Sequence, residues 1–260
     1  MTTHASVAPS TKDGPNEWVE VIKTVVYALL IALALRVLVF QPFTIPSASM
    51  EPNLYEGDYV IVTKFNYGYS RHSPPISLPS SLFSGRLFAR EPTRGDVIVF
   101  KLPRDTSGRT DYIKRLIGLP GDRIQVKQGV VYINDRPVAR KPMPDGTEDM
   151  GYGVLRPVQR FRETLPNGVS YVVNSFGPDG EVDNTGVYIV PEGHYFMMGD
   201  NRDNSLDSRF PEEVGVGMVP AEDLEGPARI VLLSWRPGAS IFKPWTWLNL
   251  RPDRFFHLLG

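Results

Sequence analysis

Between Trp18 and Phe40 runs a stretch of 23 residues whose centre, Thr24 to Leu35, carries no charge. As a helix it would extend about 35 Å, enough to cross the hydrocarbon of a bilayer with some tilt. Lys23 and Arg36 lie toward its two ends, where long side chains reach the headgroups, and Trp18 is placed for an interface. Lys12 and Lys23 favour an N-terminus on the cytoplasmic side, although Asp13, Glu17 and Glu20 share that flank. Two other readings stand beside a membrane span. One is the buried helix of a soluble protein. The other is a secretory signal ending at the small residues Ser47-Ala48-Ser49, against which stand the length of the run, Arg36 within it and an N-terminal flank without positive excess.

Beyond the apolar run the chain has a different texture. It holds 24 prolines and 23 glycines in 260 residues, which suits short strands broken by turns and not a helical bundle. A net charge of −1 leaves no basic excess to neutralise phosphates, so nucleic acid is not an expected partner. The absence of cysteine removes disulfides, thiolate catalysis and cysteine-bound metals. Strands are expected at Tyr59–Val62, at Val97–Phe100 (apolar throughout and so buried on both faces), at Tyr112–Ile117, and around Tyr171–Val173, Val187–Val190, His194–Met198 and Ala228–Trp235. Arg123–Lys127 and Val130–Asn134 form a hairpin about Gln128-Gly129. Residues 1–17 read as a disordered tail and 18–40 as the span. Residues 41–135 with 186–260 read as a β-rich core, and 136–185 as an inserted β subdomain with structural duties. The tail from Trp235 to Leu259 mixes Trp and Phe with Arg and Lys, which suits either core packing or contact with a membrane interface.

Three segments carry chemistry. Phe43 to Pro52 is fenced by Pro46 and Pro52 and is expected to be extended and stiff, with Ser47 and Ser49 projecting to one side. A serine needs a base to attack at neutral pH. The histidines, His4, His72, His194 and His257, are scattered, and no H-E-x-x-H is present. A triad through His194 is conceivable, but G-x-S-x-G is missing. That leaves a lysine. Free lysine, with a pKa near 10.4, is neutral in only about one molecule in 250 at pH 8, and lowering it by two to three units takes about 3–4 kcal/mol. Burial among apolar groups supplies this. Lys114, flanked by Tyr112, Ile113 and Leu116, fits best; alternation puts Lys114 with Leu116 on one face and Ile113 with Arg115 on the other. The third segment, Gly199 to Arg209, is so rich in hydrogen-bonding side chains that it reads as a buried polar network. A calcium loop fails there, since counting from Asp203 the sixth residue is Ser208 and the twelfth Val214. Arg94-Gly95-Asp96 reads as a turn.

Taken together, I-P-S-A-S-M-E-P (45–52), R-G-D-V-I-V-F (94–100), D-Y-I-K-R-L-I-G-L-P-G-D (111–122) and G-D-N-R-D-N-S-L-D-S-R (199–209) resemble, in order, the motifs of bacterial type I signal peptidase, the membrane-bound leader peptidase. The resemblance implies an all-β catalytic region, a signal-peptidase-like β-fold with an inserted β-lobe, anchored by one N-terminal transmembrane helix. It implies Ser49 as nucleophile and Lys114 as general base. Ser47 would join the Ser49 backbone N–H in the oxyanion hole, Ser205 would hydrogen-bond Lys114, and Asp207 and Arg209 would support the site as an ion pair. Phe43, Ile45, Met50, Leu54, Val60, Val99, Tyr112 and Ile113 would line shallow pockets for small side chains. Cleavage would follow A-x-A-like sites in secretory preproteins, without metal or other cofactor. The expected location is the bacterial inner (plasma) membrane, single-pass, with the catalytic region facing the periplasm and phospholipid as the other partner. Some relatives have two spans or a disulfide in the lobe; here one span is visible and cysteine is absent. The alternatives are a Ser–Lys protease of another role, such as the self-cleaving repressors, and a non-catalytic membrane-anchored β-domain.

Overall fold

The apolar run forms helix α1 (Glu17–Leu38), every residue of which from Trp18 to Arg36 is exposed. Straight-chain and small apolar residues propagate the helix, and no core covers it, so its apolar surface must be met from outside the fold. The structure, a computed structural model, describes residues 17–79, 81–150, 154–239 and 243–259. The expected tail 1–17 lies outside these apart from Glu17, where the helix begins. The helix also stops two residues before the expected end of the span, because Phe40 already belongs to a strand. Leu38, one of the carbonyls a helix end leaves unpaired, accepts the Tyr69 hydroxyl at 2.7 Å.

The main sheet is antiparallel, in the order Phe40–Thr44, Asp58–Thr63, Leu224–Ser234, Val97–Lys101, Asp111–Gly118, His194–Met198 and Val219–Pro220, with His257–Leu258 paired to 224–234 as well. Strand 224–234 carries register shifts along its length; bulges of this kind bend a strand, and here its two ends serve different neighbours. Val97 to Phe100 are all buried, as their unbroken apolar run implied: Val97 and Val99 pack with Ile45, Val60 and Ile113, whereas Ile98 and Phe100 pack with Leu116, Met197 and Leu224.

The lobe consists of a three-stranded sheet, Ala139–Asp149, Leu155–Thr164 and Ser170–Ser175. Beside it the hairpin Arg123–Lys127 and Val130–Ile133 pairs with two short strands, Arg136–Pro137 and Tyr188–Ile189. The hairpin and the lobe share one core, in which Ile124, Val126 and Val131 meet Leu165, Tyr171 and Val173 together with Phe196 and Met198 of the main sheet. Packing therefore ties residues 123–133 to the lobe as much as to the sheet they succeed in sequence.

Candidate active site

Pro46 and Pro52 fix their own φ and restrict the residues before them, not those between. Ile45 closes the strand by pairing its N–H with Asp58, and Glu51 is extended (φ −64°, ψ 144°). Between the two fences the backbone is free to turn. Residues 48–50 form a single 3₁₀ turn, so the segment is not extended throughout as expected. Ser47 precedes the turn in an extended conformation, and its Oγ still comes to 3.3 Å from Ser49 Oγ. Ser49 is nearly buried at 8 % exposure, while Ser47 stands in solvent.

Strand 111–118 buries both of its neighbouring cations, Lys114 at 3 % and Arg115 at 1 % exposure. They solve that problem differently. The Arg115 guanidinium forks onto Asp200, each nitrogen 2.7 Å from its own carboxylate oxygen, and stacks 4.1 Å from the centre of the Tyr171 ring. Among the described residues Lys114 faces no carboxylate at hydrogen-bond distance. Its Nζ donates to Ser49 Oγ at 2.7 Å and to the Ile113 carbonyl at 3.0 Å. Burial lowers the Lys114 pKa to about 8, against a partial opposing pull from Asp207 and Asp200. An amine of that affinity is neutral in an appreciable fraction of molecules near neutral pH.

The polar loop 199–209 closes the back of the site. Asn201 N–H donates to the Ser49 carbonyl at 3.1 Å and its side-chain amide to the Ala48 carbonyl at 3.0 Å, which pins the turn that presents the serine. Asp207 and Arg209 form the expected ion pair, through Nε to Oδ1 at 2.8 Å and Nη2 to Oδ2 at 2.9 Å, and the arginine holds the carboxyl below its usual range despite complete burial. Ser205 departs from expectation. Its buried Oγ finds no partner among the described residues, and the Lys114 amine binds Ser49 and Ile113.

A cleft of about 440 Å³ opens in front of the two serines. Phe43, Ile45, Val99, Tyr112 and Ile113 line it together with Ser47, Ser49 and Lys114. Met50, Leu54 and Val60, expected among the lining residues, are instead fully buried beneath it. Asp111, Asn204 and Leu206, not singled out in the sequence, stand in the cleft wall. Neither are Asn53, Asp200, Asn201 and Glu163 legible as site residues from the sequence, though the first three bind the segments that carry Ser49 and Lys114 and Glu163 binds Arg202 in the polar loop. His194 turns its Nδ1 to the Glu192 carbonyl at 2.9 Å and makes no triad. His72 does lie between a serine and a carboxylate, Ser77 at 2.8 Å and Asp223 at 3.2 Å, where it braces the 70–79 loop against the start of strand 224–234.

A serine hydroxyl beside a buried, low-affinity amine at the edge of an apolar cleft is suited to acyl transfer, and comparison with known proteins shows the family to which the chain belongs. The family described as Signal peptidase, peptidase S26 matches residues 18–235. The signal peptidase I of Rickettsia typhi is 45% identical over 214 residues, 80% of this chain and 77% of that one. That of Rickettsia massiliae is 42% identical over 240 residues, 90% of this chain and 85% of its own. A solved signal peptidase I from Enterococcus faecalis aligns at a TM-score of 0.30 and 27% identity, covering 53% of this chain and 97% of that one. The chain belongs to the signal peptidase I family and is a serine peptidase of that type.

Proposed function

We propose that this enzyme removes signal peptides from exported preproteins with Ser49 and Lys114 as a catalytic dyad. The observation that carries the reading is the 2.7 Å approach of the Lys114 Nζ to Ser49 Oγ in a buried setting. In the neutral amine the Nζ lone pair accepts the hydroxyl proton as Oγ bonds to the substrate carbonyl carbon. The oxyanion is met by the Ser49 N–H and by the Ser47 hydroxyl, which lies beside the attacking oxygen. The lysine then returns the proton to the departing amine, and the C–N bond breaks. In the second half, water loses a proton to Nζ as it attacks the ester. The acid product leaves, and the serine regains its hydrogen.

Ile45, Val99 and Ile113 in the cleft wall favour small side chains before the scissile bond, in keeping with A-x-A-like sites. Phe43 and Tyr112 extend that wall, and Met50, Leu54 and Val60 act from below as its packing support. Asp207 and Arg209 support the base. The exposed helix α1 anchors the chain in the inner membrane with its N-terminus cytoplasmic and the catalytic region outside. The C-terminal side chains Trp245 (78 % exposed), Leu248 (91 %) and Phe256 (66 %) suit the headgroup layer on that side. Incubation with a model preprotein tests the reading by mass spectrometry of the fragments. Wild type is expected to cut once after the small residue, and Ser49→Ala and Lys114→Met to cut not at all while still inserting. Full turnover by Lys114→Met would remove the base.

A further inference from the structure

The lobe at 139–175 grips the polar loop nearly residue by residue. Asn174 N–H donates to the Asp200 carbonyl at 3.0 Å, and the Phe176 N–H and the Ser175 hydroxyl both reach Asp203 Oδ2, at 2.6 and 3.1 Å. Asn204 donates to Glu148 Oε1 at 2.7 Å. Between these contacts lies a charged clamp. Glu163, 1 % exposed, accepts Arg202 Nη1 on Oε1 at 2.8 Å and Nη2 on Oε2, and the Tyr171 hydroxyl also donates to Oε2, at 3.1 Å.

Arg202 passes that fixation on by two routes. Its Nε donates to the Gly199 carbonyl at 3.3 Å, and the Gly199 N–H in turn holds Asp207 Oδ2 at 2.9 Å. Its backbone carbonyl accepts Arg209 Nη2, the nitrogen that also binds Asp207. Both routes end on the Asp207 carboxylate. The charged groups acting on Lys114 are Asp207, Asp200 and Arg209, all in the polar loop, so Glu163 acts on the amine only by way of them.

From this geometry we infer that Glu163 is a positioning residue for the reaction: the lobe, through Glu163 and Arg202, sets the orientation of the Asp207–Arg209 pair against Lys114 and Ser49. The inserted lobe is then part of the catalytic apparatus and not a structural elaboration. The inference rests on the proposed dyad.

The test compares the full chain in detergent with Glu163→Gln, Tyr171→Phe and the double variant Glu163→Leu/Arg202→Met, using a fluorogenic A-x-A peptide from pH 6 to 10. Glu163→Gln is expected to lower kcat at least tenfold with KM within twofold. The acid limb of its pH profile should move to lower pH, because a loosened Asp207 supports the ammonium less. Tyr171→Phe, which removes one of the bonds to the same carboxylate, should show the same changes to a smaller degree. The double variant leaves no buried charge unpaired and is expected to regain thermal stability without regaining kcat. Wild-type kcat and an unshifted acid limb in Glu163→Gln would overturn the inference. So would recovery of kcat along with stability in the double variant, which also decides the matter if Glu163→Gln does not fold. Failure of the dyad itself would appear separately, as no turnover by the unaltered chain.

Discussion

The α-carbon of Gly199 abuts the carbonyl oxygen of Ser49: a Cβ built on Gly199 would stand 2.6 Å from that oxygen and 2.2 Å from Ser205 Oγ. The Ser205 hydroxyl can rotate aside, but the Ser205 Cβ, 2.5 Å away, cannot, and the Ser49 carbonyl is backbone and already held by Asn201. Gly199→Ala should therefore drive the serine turn and the Ser205 backbone apart and shift Ser49 relative to strand 111–118. Overpacking of this sort costs about 1–3 kcal/mol, which a domain of this size survives, whereas a displacement of about 1 Å at the proposed nucleophile can cost about a hundredfold in rate. The expected result is a folded protein with kcat down roughly a hundredfold. A thermal melt and a cleavage assay on one preparation check both halves, and near-normal kcat would show that the close approach does not control Ser49.

On the proposed dyad, activity should track the neutral amine of Lys114. With a Lys114 pKa of about 8, kcat/KM should rise with pH through that value and level off above it, whereas a solvated lysine would keep it rising past 10. A pH–rate profile on a peptide substrate reads this directly. A profile still climbing at pH 10 would mean that the amine is not desolvated in the working enzyme.

The same burial bears on stability. Folding lowers the Lys114 pKa from 10.5 to about 8, so between these values the native state binds fewer protons than the unfolded chain and stability rises with pH. Below pH 8 both states carry the proton and the penalty is constant, about 3 kcal/mol from the size of the shift. Lys114→Met, which keeps the length and drops the charge, is expected to be more stable than wild type at pH 7 by up to about 3 kcal/mol and to lose the rise between pH 8 and 10.5. Urea unfolding in detergent at pH 7 and pH 10 measures both. Equal stability of the two proteins at pH 7 would contradict the assigned cost.

Much of the candidate site is legible in the chain because the two residues proposed at its centre, Ser49 and Lys114, advertise themselves locally. Ser49 comes soon after a membrane-length apolar run, and Lys114 is wrapped by its own apolar neighbours. What surrounds them is not local. Arg115 and Asp200 lie 85 residues apart, Arg202 and Glu163 39, and Asn53 and Asp200 147. No periodicity links such pairs, which is why Glu163 reads as an ordinary lobe residue. The pocket residues fail for another reason. Met50, Leu54 and Val60 are apolar whether they face the cleft or the core beneath it, and pattern alone cannot separate the two. The 3₁₀ turn at 48–50 escapes because proline restrains the residue before it and says nothing of the residues between two prolines.

On the proposed dyad, Arg209 should decide how strongly Asp207 is felt by Lys114. Asp207 is wholly buried and accepts two bonds from the Arg209 side chain, besides the N–H groups of Gly199 and Arg209 itself. Arg209→Met removes the counter-charge and leaves the carboxylate with backbone partners alone, at a cost of about 3–5 kcal/mol. The unscreened Asp207 then favours the ammonium form of Lys114, so the acid limb of the pH–rate profile should move above pH 8, with the deficit large at pH 7 and shrinking toward pH 10. Arg209→Lys supplies a charge but not the fork, and should fall between the two. The pH dependence of the ratio of variant to wild-type kcat/KM measures this. A ratio that stays flat from pH 7 to 10 would mean that Arg209 holds the loop in shape without governing the proton affinity of Lys114.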